Sequence, residues 1–266
     1  MNHRVSRLIK SSRFYSLVRD LSFDAKNTWR WCRHNFNLKP TFKASFVAKS
    51  PHRPVILVQG FMGSSGVLQP LQNYLIKKNY NVVLLDLGAF NIRDIRESSE
   101  KLLFEVERIF ESFAKKQNFK EVDIVAHSMG GIIALYYISQ LGGHRLVRRL
   151  VTLGTPFRGT WSAFLGILAF GWFSKGIWQL HPHSGFIDEV SQITQKPMET
   201  EIFSIAAKND TLAPPESCFL HGAINRVLPL SHAGLIMDER LFDCVDDYLR
   251  EGKNLPDALA FRHFKS

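Results

Sequence analysis

A doubly wound α/β sheet is the fold class this sequence predicts, and three observations predict it. Short runs of strand length, apolar throughout and rich in Val, Ile and Leu, recur at 54–59, 81–86 and 150–153. Helix-period stretches of a dozen or more residues lie between such runs. At 122–138, VDIVAHSMGGIIALYYI passes from a β-branched run into a helical pattern through a turn of small residues. Runs without polar alternation fit strands buried on both faces. Long helices between them imply parallel strands joined by right-handed crossovers.

Charge divides the chain. Residues 1–53 carry 12 of the 34 Lys and Arg but only 2 of the 24 acidic residues, so the whole excess of +10 lies there and the remaining residues balance. Pro51 and Pro54 punctuate the change. The expected organisation is a basic, aromatic extension (1–53), an α/β body (54–251) with an apolar insertion at about 157–185, and a tail (252–266). Within the extension, Val5, Leu8, Ile9, Ser12, Tyr15 and Val18 share a helical face, and Trp29, Trp31, Phe36, Phe42 and Phe46 interleave with basic residues. Such a stretch suits an anionic membrane surface. Two other readings stay open: an organellar transit peptide, if the source is eukaryotic, and a basic arm packed on its own domain. No uninterrupted apolar core suggests a secretory signal, and no accompanying motif supports nucleic-acid binding. Three cysteines at no ligand-like spacing fit reduced thiols, which suits a cytoplasmic protein at a membrane periphery. No metal-ligand spacing, phosphate loop or dinucleotide fingerprint is present, so neither metal nor cofactor is expected.

The elements follow in order. Pro54–Gln59 is a buried strand that runs into the glycine-rich loop Gly60–Gly66, and Val67–Lys78 has helical spacing. Asn81–Asp86 is the next strand and Asp94–Lys116 a long helix. After the 122–138 unit come strands at Leu150–Leu153, Ile202–Ala206 and Ala223–Leu230. In open sheets of this class the reactive groups leave the carboxyl ends of the strands. That brings together Gly60–Gly66, Ser128, Ala207–Pro214 and Ser231–Gly234.

Each of these supplies one part of an acyl-transfer site. Ser128 sits on a strand-to-helix turn with Ala126 and Gly130 two residues either side, the pattern of a nucleophile elbow. Met129 begins the helix, so its N–H is one candidate oxyanion donor. Phe61, after Gly60, is the other. Asp210, in KNDTLAPP, follows a late strand and suits the acid that orients an imidazole; as a turn residue it would bond its own backbone instead. His232 follows the last strand and suits the general base. Ser128, Asp210 and His232 occur in the chain order this sheet type uses. His127, His181, His183 and His221 are rivals for the base. The first adjoins the serine, so its ring is expected to point away, and the others do not follow a strand closely.

With AHSMGG, LGTPFRGT, NDTLAPP and SHAGL in place, the sequence resembles the α/β-hydrolase superfamily, and within it the bacterial triacylglycerol-lipase-like hydrolases. The resemblance covers Pro54 to Glu251, about three quarters of the chain. It implies that Ser128 is the nucleophile, Asp210 the acid and His232 the base, with Phe61 and Met129 forming the oxyanion hole. Gln59 departs from it, because the family usually has His before the glycine, bracing the oxyanion loop.

Trp161–Leu180 is the most apolar stretch, yet its run to Phe173 is short for a membrane span. It is expected to cover the site and offer an acyl-binding wall of Trp161, Phe164, Leu165, Leu168 and Trp172, or else to pack as an ordinary core helix. The expected activity is hydrolysis of apolar acyl esters, such as lipids, through an acyl-enzyme. Acyl transfer or phospholipase action with the same residues is the alternative, and a membrane-associated interaction protein without turnover is another.

Overall fold

The computed structural model of the chain describes residues 29–30, 33–34, 44–45, 50–61, 65–88, 91–117, 119–163, 174–195, 198–256 and 264. Its centre is a seven-stranded sheet: β1 (Ala44–Ser45), β2 (Val55–Val58), β3 (Val82–Leu84), β4 (Val122–His127), β5 (Val147–Leu153), β6 (Glu201–Ala207) and β7 (Ile224–Leu228), in the spatial order β1-β3-β2-β4-β5-β6-β7. Six strands are parallel, and β1 pairs antiparallel with β3 through Ala44–Val83 and Ser45–Val82.

Alternation along β2 explains why the sequence is apolar at every position. Val55 and Leu57 enter one core, and Ile56 and Val58 the other. The first core is closed by α1 (Gln69–Lys77), α7 (Gly234–Met237) and α8 (Glu239–Glu251). The second is closed by α2 (Ile95–Gln117), α3 (Met129–Gln140) and α5 (Gly185–Ile193). Two short helices complete the elements used below, α4 (Lys175–Gln179) and α6 (Pro215–Cys218). The chain steps from β2 outward to β3, then returns across β2 to β4. Strand order therefore reverses beside β2, and α1 and α3 leave on opposite faces. The crevice that opens there, beyond the carboxyl ends of β2 and β4, is where ligands bind in such sheets.

The boundary expected at residue 53 marks a change of charge, but the sheet reaches back beyond it to Ala44. Ser50 also donates its hydroxyl to Asn79 O at 2.7 Å, and Arg30 Nη1 donates to Met237 O at 3.0 Å. At the other end, Leu255 and Phe264 pack against the core of α7 and α8. The helical face read over residues 5–18 lies outside the described residues. Among the described residues, no helix is long and apolar enough to cross a membrane.

Candidate active site

Ser128 lies between β4 and α3 with φ 54° and ψ −131°. Left-handed backbone at a non-glycine residue is strained, and the geometry around it accounts for the small neighbours. A Cβ on Gly130 would come within 2.7 Å of the carbonyl oxygens of Val58 and Gln59. One on Gly131 would overlap the hydroxyl of Thr155. One on Gly60 would lie 2.7 Å from Ser128 Cβ and 3.3 Å from Met129 N. The turn is held by Ser128 N–H donating to Leu153 O at 2.9 Å and by Thr155 Oγ1 donating to Ser128 O at 2.9 Å.

The two expected oxyanion donors belong to adjoining segments. Met129 is the first residue of α3 and fully buried, and its backbone nitrogen lies close beside Gly60, the residue before Phe61. Phe61 itself is half-buried against the α2–α3 core. Asn91 supports this loop from outside, donating Nδ2 to Gln59 O at 3.1 Å.

The residues expected to be acid and base meet. His232 Nδ1 and Asp210 Oδ2 are 2.6 Å apart. The other carboxylate oxygen accepts Leu212 N–H at 2.9 Å and Ala213 N–H at 2.8 Å, so the buried carboxylate is fixed in rotation. Asp210 does use its own turn, as a loop aspartate commonly does, and it holds the histidine as well. With Nδ1–H donated to the carboxylate, the lone pair of the neutral His232 ring lies on Nε2. Gly154 lies against this pair: a Cβ there would be 3.2 Å from His232 Nδ1 and 3.3 Å from Asp210 Oδ2.

His127 does not stand free as a rival base. Its ring lies 4.6 Å from that of His232, and burial followed by the neighbouring His232 charge holds its pKa well below the imidazole range. His181 and His183 gather round Trp161, with ring centroids 5.2 Å and 5.5 Å from it. Trp161 is exposed, as is Leu212 two residues beyond Asp210, and the hydroxyls of Thr160 and Ser162 both donate to Leu212 O. Of the expected acyl wall, Phe164, Leu165, Leu168 and Trp172 lie outside the described residues. The insertion's far end is anchored: Gln179 Oε1 accepts Ile95 N–H at 2.8 Å, Ser174 caps α4, and Gly176 packs beside Met129 Sδ. No group of metal-ligating side chains occurs among the described residues.

Thr155, Gly154 and Asn91 were not singled out from the sequence. Thr155 and Gly154 lie in the quoted LGTPFRGT block, whereas nothing local marks Asn91.

The carboxyl ends of parallel strands here carry a serine on a strained strand-to-helix turn and a histidine–carboxylate pair, which are the parts of a hydrolase of the α/β class. A family model described as alpha/beta hydrolase fold matches residues 53–175, and the chain has that fold. It is 28% identical over 162 residues to a probable lysophospholipase of Arabidopsis thaliana, BODYGUARD 4, a match covering 58% of this chain and 38% of that protein. Among solved structures it resembles the Bacillus licheniformis lipase BlEst2 in its propeptide form (TM-score 0.68, 19% identity, 81% of this chain and 54% of the other). It likewise resembles Aspergillus fumigatus lipase B (TM-score 0.67, 18% identity, 84% and 62%). The chain thus spans less than two thirds of the length of each. Both of these solved structures are lipases, in keeping with the resemblance in the sequence.

Proposed function

We propose that the protein is a serine ester hydrolase acting on apolar acyl esters. The observation that carries this reading is the Asp210–His232 pair at 2.6 Å, held at the same sheet edge as Ser128 on its strained turn. His232 Nε2 takes the Ser128 hydroxyl proton as Oγ attacks the ester carbonyl carbon. The carbonyl oxygen becomes an oxyanion opposite the N–H groups of Phe61 and Met129. As the tetrahedral intermediate collapses, the imidazolium protonates the departing alcohol and leaves the acyl group on Oγ. His232 then activates water, which attacks the acyl carbon, and the proton returns to Oγ as the acid departs.

The substrate class rests on the exposed Trp161 and Leu212 near the acid and on the apolar sequence of 163–173. A single-chain lipid ester, the substrate class named for the Arabidopsis relative, is compatible with such a surface. The same groups would catalyse acyl transfer if an alcohol replaced water at the second step. Residues 1–50, with their basic excess, are proposed to bring the enzyme to an anionic lipid surface.

A fluorophosphonate probe should label the full chain at Ser128, and Ser128→Ala should abolish both labelling and hydrolysis of p-nitrophenyl esters. Equal labelling of the variant would remove Ser128 from its role. Across an ester series, kcat/KM should rise from acetyl to longer acyl groups; a preference for short, polar acids would contradict the apolar surface.

A further inference from the structure

Asn91 takes no part in these steps, yet it grips the loop from which they draw an oxyanion donor. It is 1% exposed, with left-handed backbone at φ 47°, a conformation that asparagine adopts more readily than most residues. Its Nδ2 donates to Gln59 O at 3.1 Å, and its Oδ1 accepts from Ser98 Oγ at 3.4 Å. The Gln59 carbonyl follows Val58, the last residue of β2, and lies against the nucleophile turn: a Cβ on Gly130 would come within 2.7 Å of it. Next along the chain is Gly60, which lacks the steric limits a side chain imposes. The backbone between Gln59 and Phe61 therefore needs a hold from outside if the Phe61 N–H is to keep one direction.

Asn91 is held in its turn by the far end of the apolar insertion. The buried Ser174 donates Oγ to Ile92 O at 2.9 Å. Gln179 spans the next residues: its Oε1 accepts Ile95 N–H at 2.8 Å, and its Nε2 donates to Asp94 Oδ1 at 2.8 Å. Gly176 packs so tightly between them that a Cβ there would come within 2.6 Å of Arg93 O. Three residues of the insertion thus fasten 92–95, immediately beside Asn91. A carboxamide whose backbone is fixed on one side, and whose N–H is bonded to a carbonyl on the other, is a strut between the two segments.

We propose that Asn91 is a positioning residue for the oxyanion hole. Through Gln59 O it orients the peptides that lead to the Phe61 N–H, and the anchor of the insertion at 174–179 keeps it in place. The proposal rests on the serine-hydrolase reading above. Asn91 acts through Gln59 and Phe61, so its contribution is felt where negative charge develops on the carbonyl oxygen. That charge belongs to the transition state and not to the bound ester.

Asn91→Asp is the discriminating variant. It keeps the size, the tolerance of left-handed backbone and an oxygen to accept from Ser98, but it sets a second oxygen against Gln59 O in place of the donor. In hydrolysis of a soluble p-nitrophenyl ester by the full chain, kcat should fall by about ten- to a hundredfold with KM nearly unchanged. Affinity for an alkyl trifluoromethyl ketone should fall by a similar factor, because Ser128 Oγ adds to its carbonyl carbon, His232 takes the proton and the ketone oxygen becomes the oxyanion. Affinity for the matching secondary alcohol, which forms no oxyanion, should stay the same. A wild-type kcat, or a loss carried by KM and by the alcohol alike, overturns the proposal. Ser174→Ala supplies a second test should Asn91→Asp fold poorly: it should lower kcat about threefold at constant KM and ketone affinity in proportion, and an unchanged kcat overturns the link to the insertion. If Ser128→Ala abolishes hydrolysis while folded Asn91→Asp retains it, this proposal alone fails; hydrolysis retained by Ser128→Ala removes both readings.

Discussion

Ser128 holds a backbone conformation that costs a side-chain-bearing residue about 1–3 kcal/mol. Glycine adopts it freely but loses more freedom on folding, a penalty of about 0.5–1 kcal/mol relative to alanine. Strain relief is the larger effect, so Ser128→Gly should be more stable than Ser128→Ala by about 1 kcal/mol, while both are inactive. Urea unfolding of the two variants checks this, and equal midpoints would mean that the turn stores no strain. The serine and its small neighbours were legible in the sequence because the steric requirement is local: strand, turn and helix occupy consecutive residues. Thr155 and Asn91 were not, because each acts on a backbone carbonyl (that of Ser128 and that of Gln59) distant in sequence. Such contacts leave no periodic or spacing signal.

At the scale of elements, β4 starts with a buried charge. Asp123 is nearly inaccessible, and both its oxygens accept from Arg53 Nε, at 3.1 and 3.0 Å. Burial nevertheless pushes its carboxyl up to about 6. Its folded value thus exceeds the unfolded value of about 3.9. The favourable contribution from binding this proton is complete below the unfolded value and is lost as pH rises through about 6. Without Arg53 the carboxylate would lose the partner that tolerates its ionisation. Arg53→Met should therefore destabilise by about 3 kcal/mol at pH 8, and by clearly less at pH 5, where Asp123 takes up a proton. Denaturation at the two pH values measures this, and an equal loss at both would refute it. Burial likewise pushes Glu201 up, but the Arg149 side chain, the Lys253 N–H and the Arg148 charge outweigh it and hold it below the usual range. Its stabilisation runs the other way, present above the ordinary glutamate value and lost as the medium becomes acid. The central strands were readable as apolar runs because both faces are covered. Strand β1 was not, since Ala44–Ser45 is a two-residue pairing within a basic stretch whose composition describes an arm.

For the whole molecule, β1 joins the basic segment to the α/β body. Removing residues 1–48 takes away all but two of the basic residues of that segment (Lys49 and Arg53 remain) and the strand on β3. The truncated chain should no longer float with anionic liposomes, and retained flotation would discard the membrane proposal.

The same cut has a second outcome. Val82, Val83 and Leu84 would then present bare amide and carbonyl groups along a wholly apolar margin, a template on which another polypeptide can add. Light scattering should find the shortened protein self-associating with rising concentration while the intact one stays dispersed, and identical profiles would refute this. Two residues of backward-running chain thus act as a selvedge, keeping the woven sheet from growing by its own side.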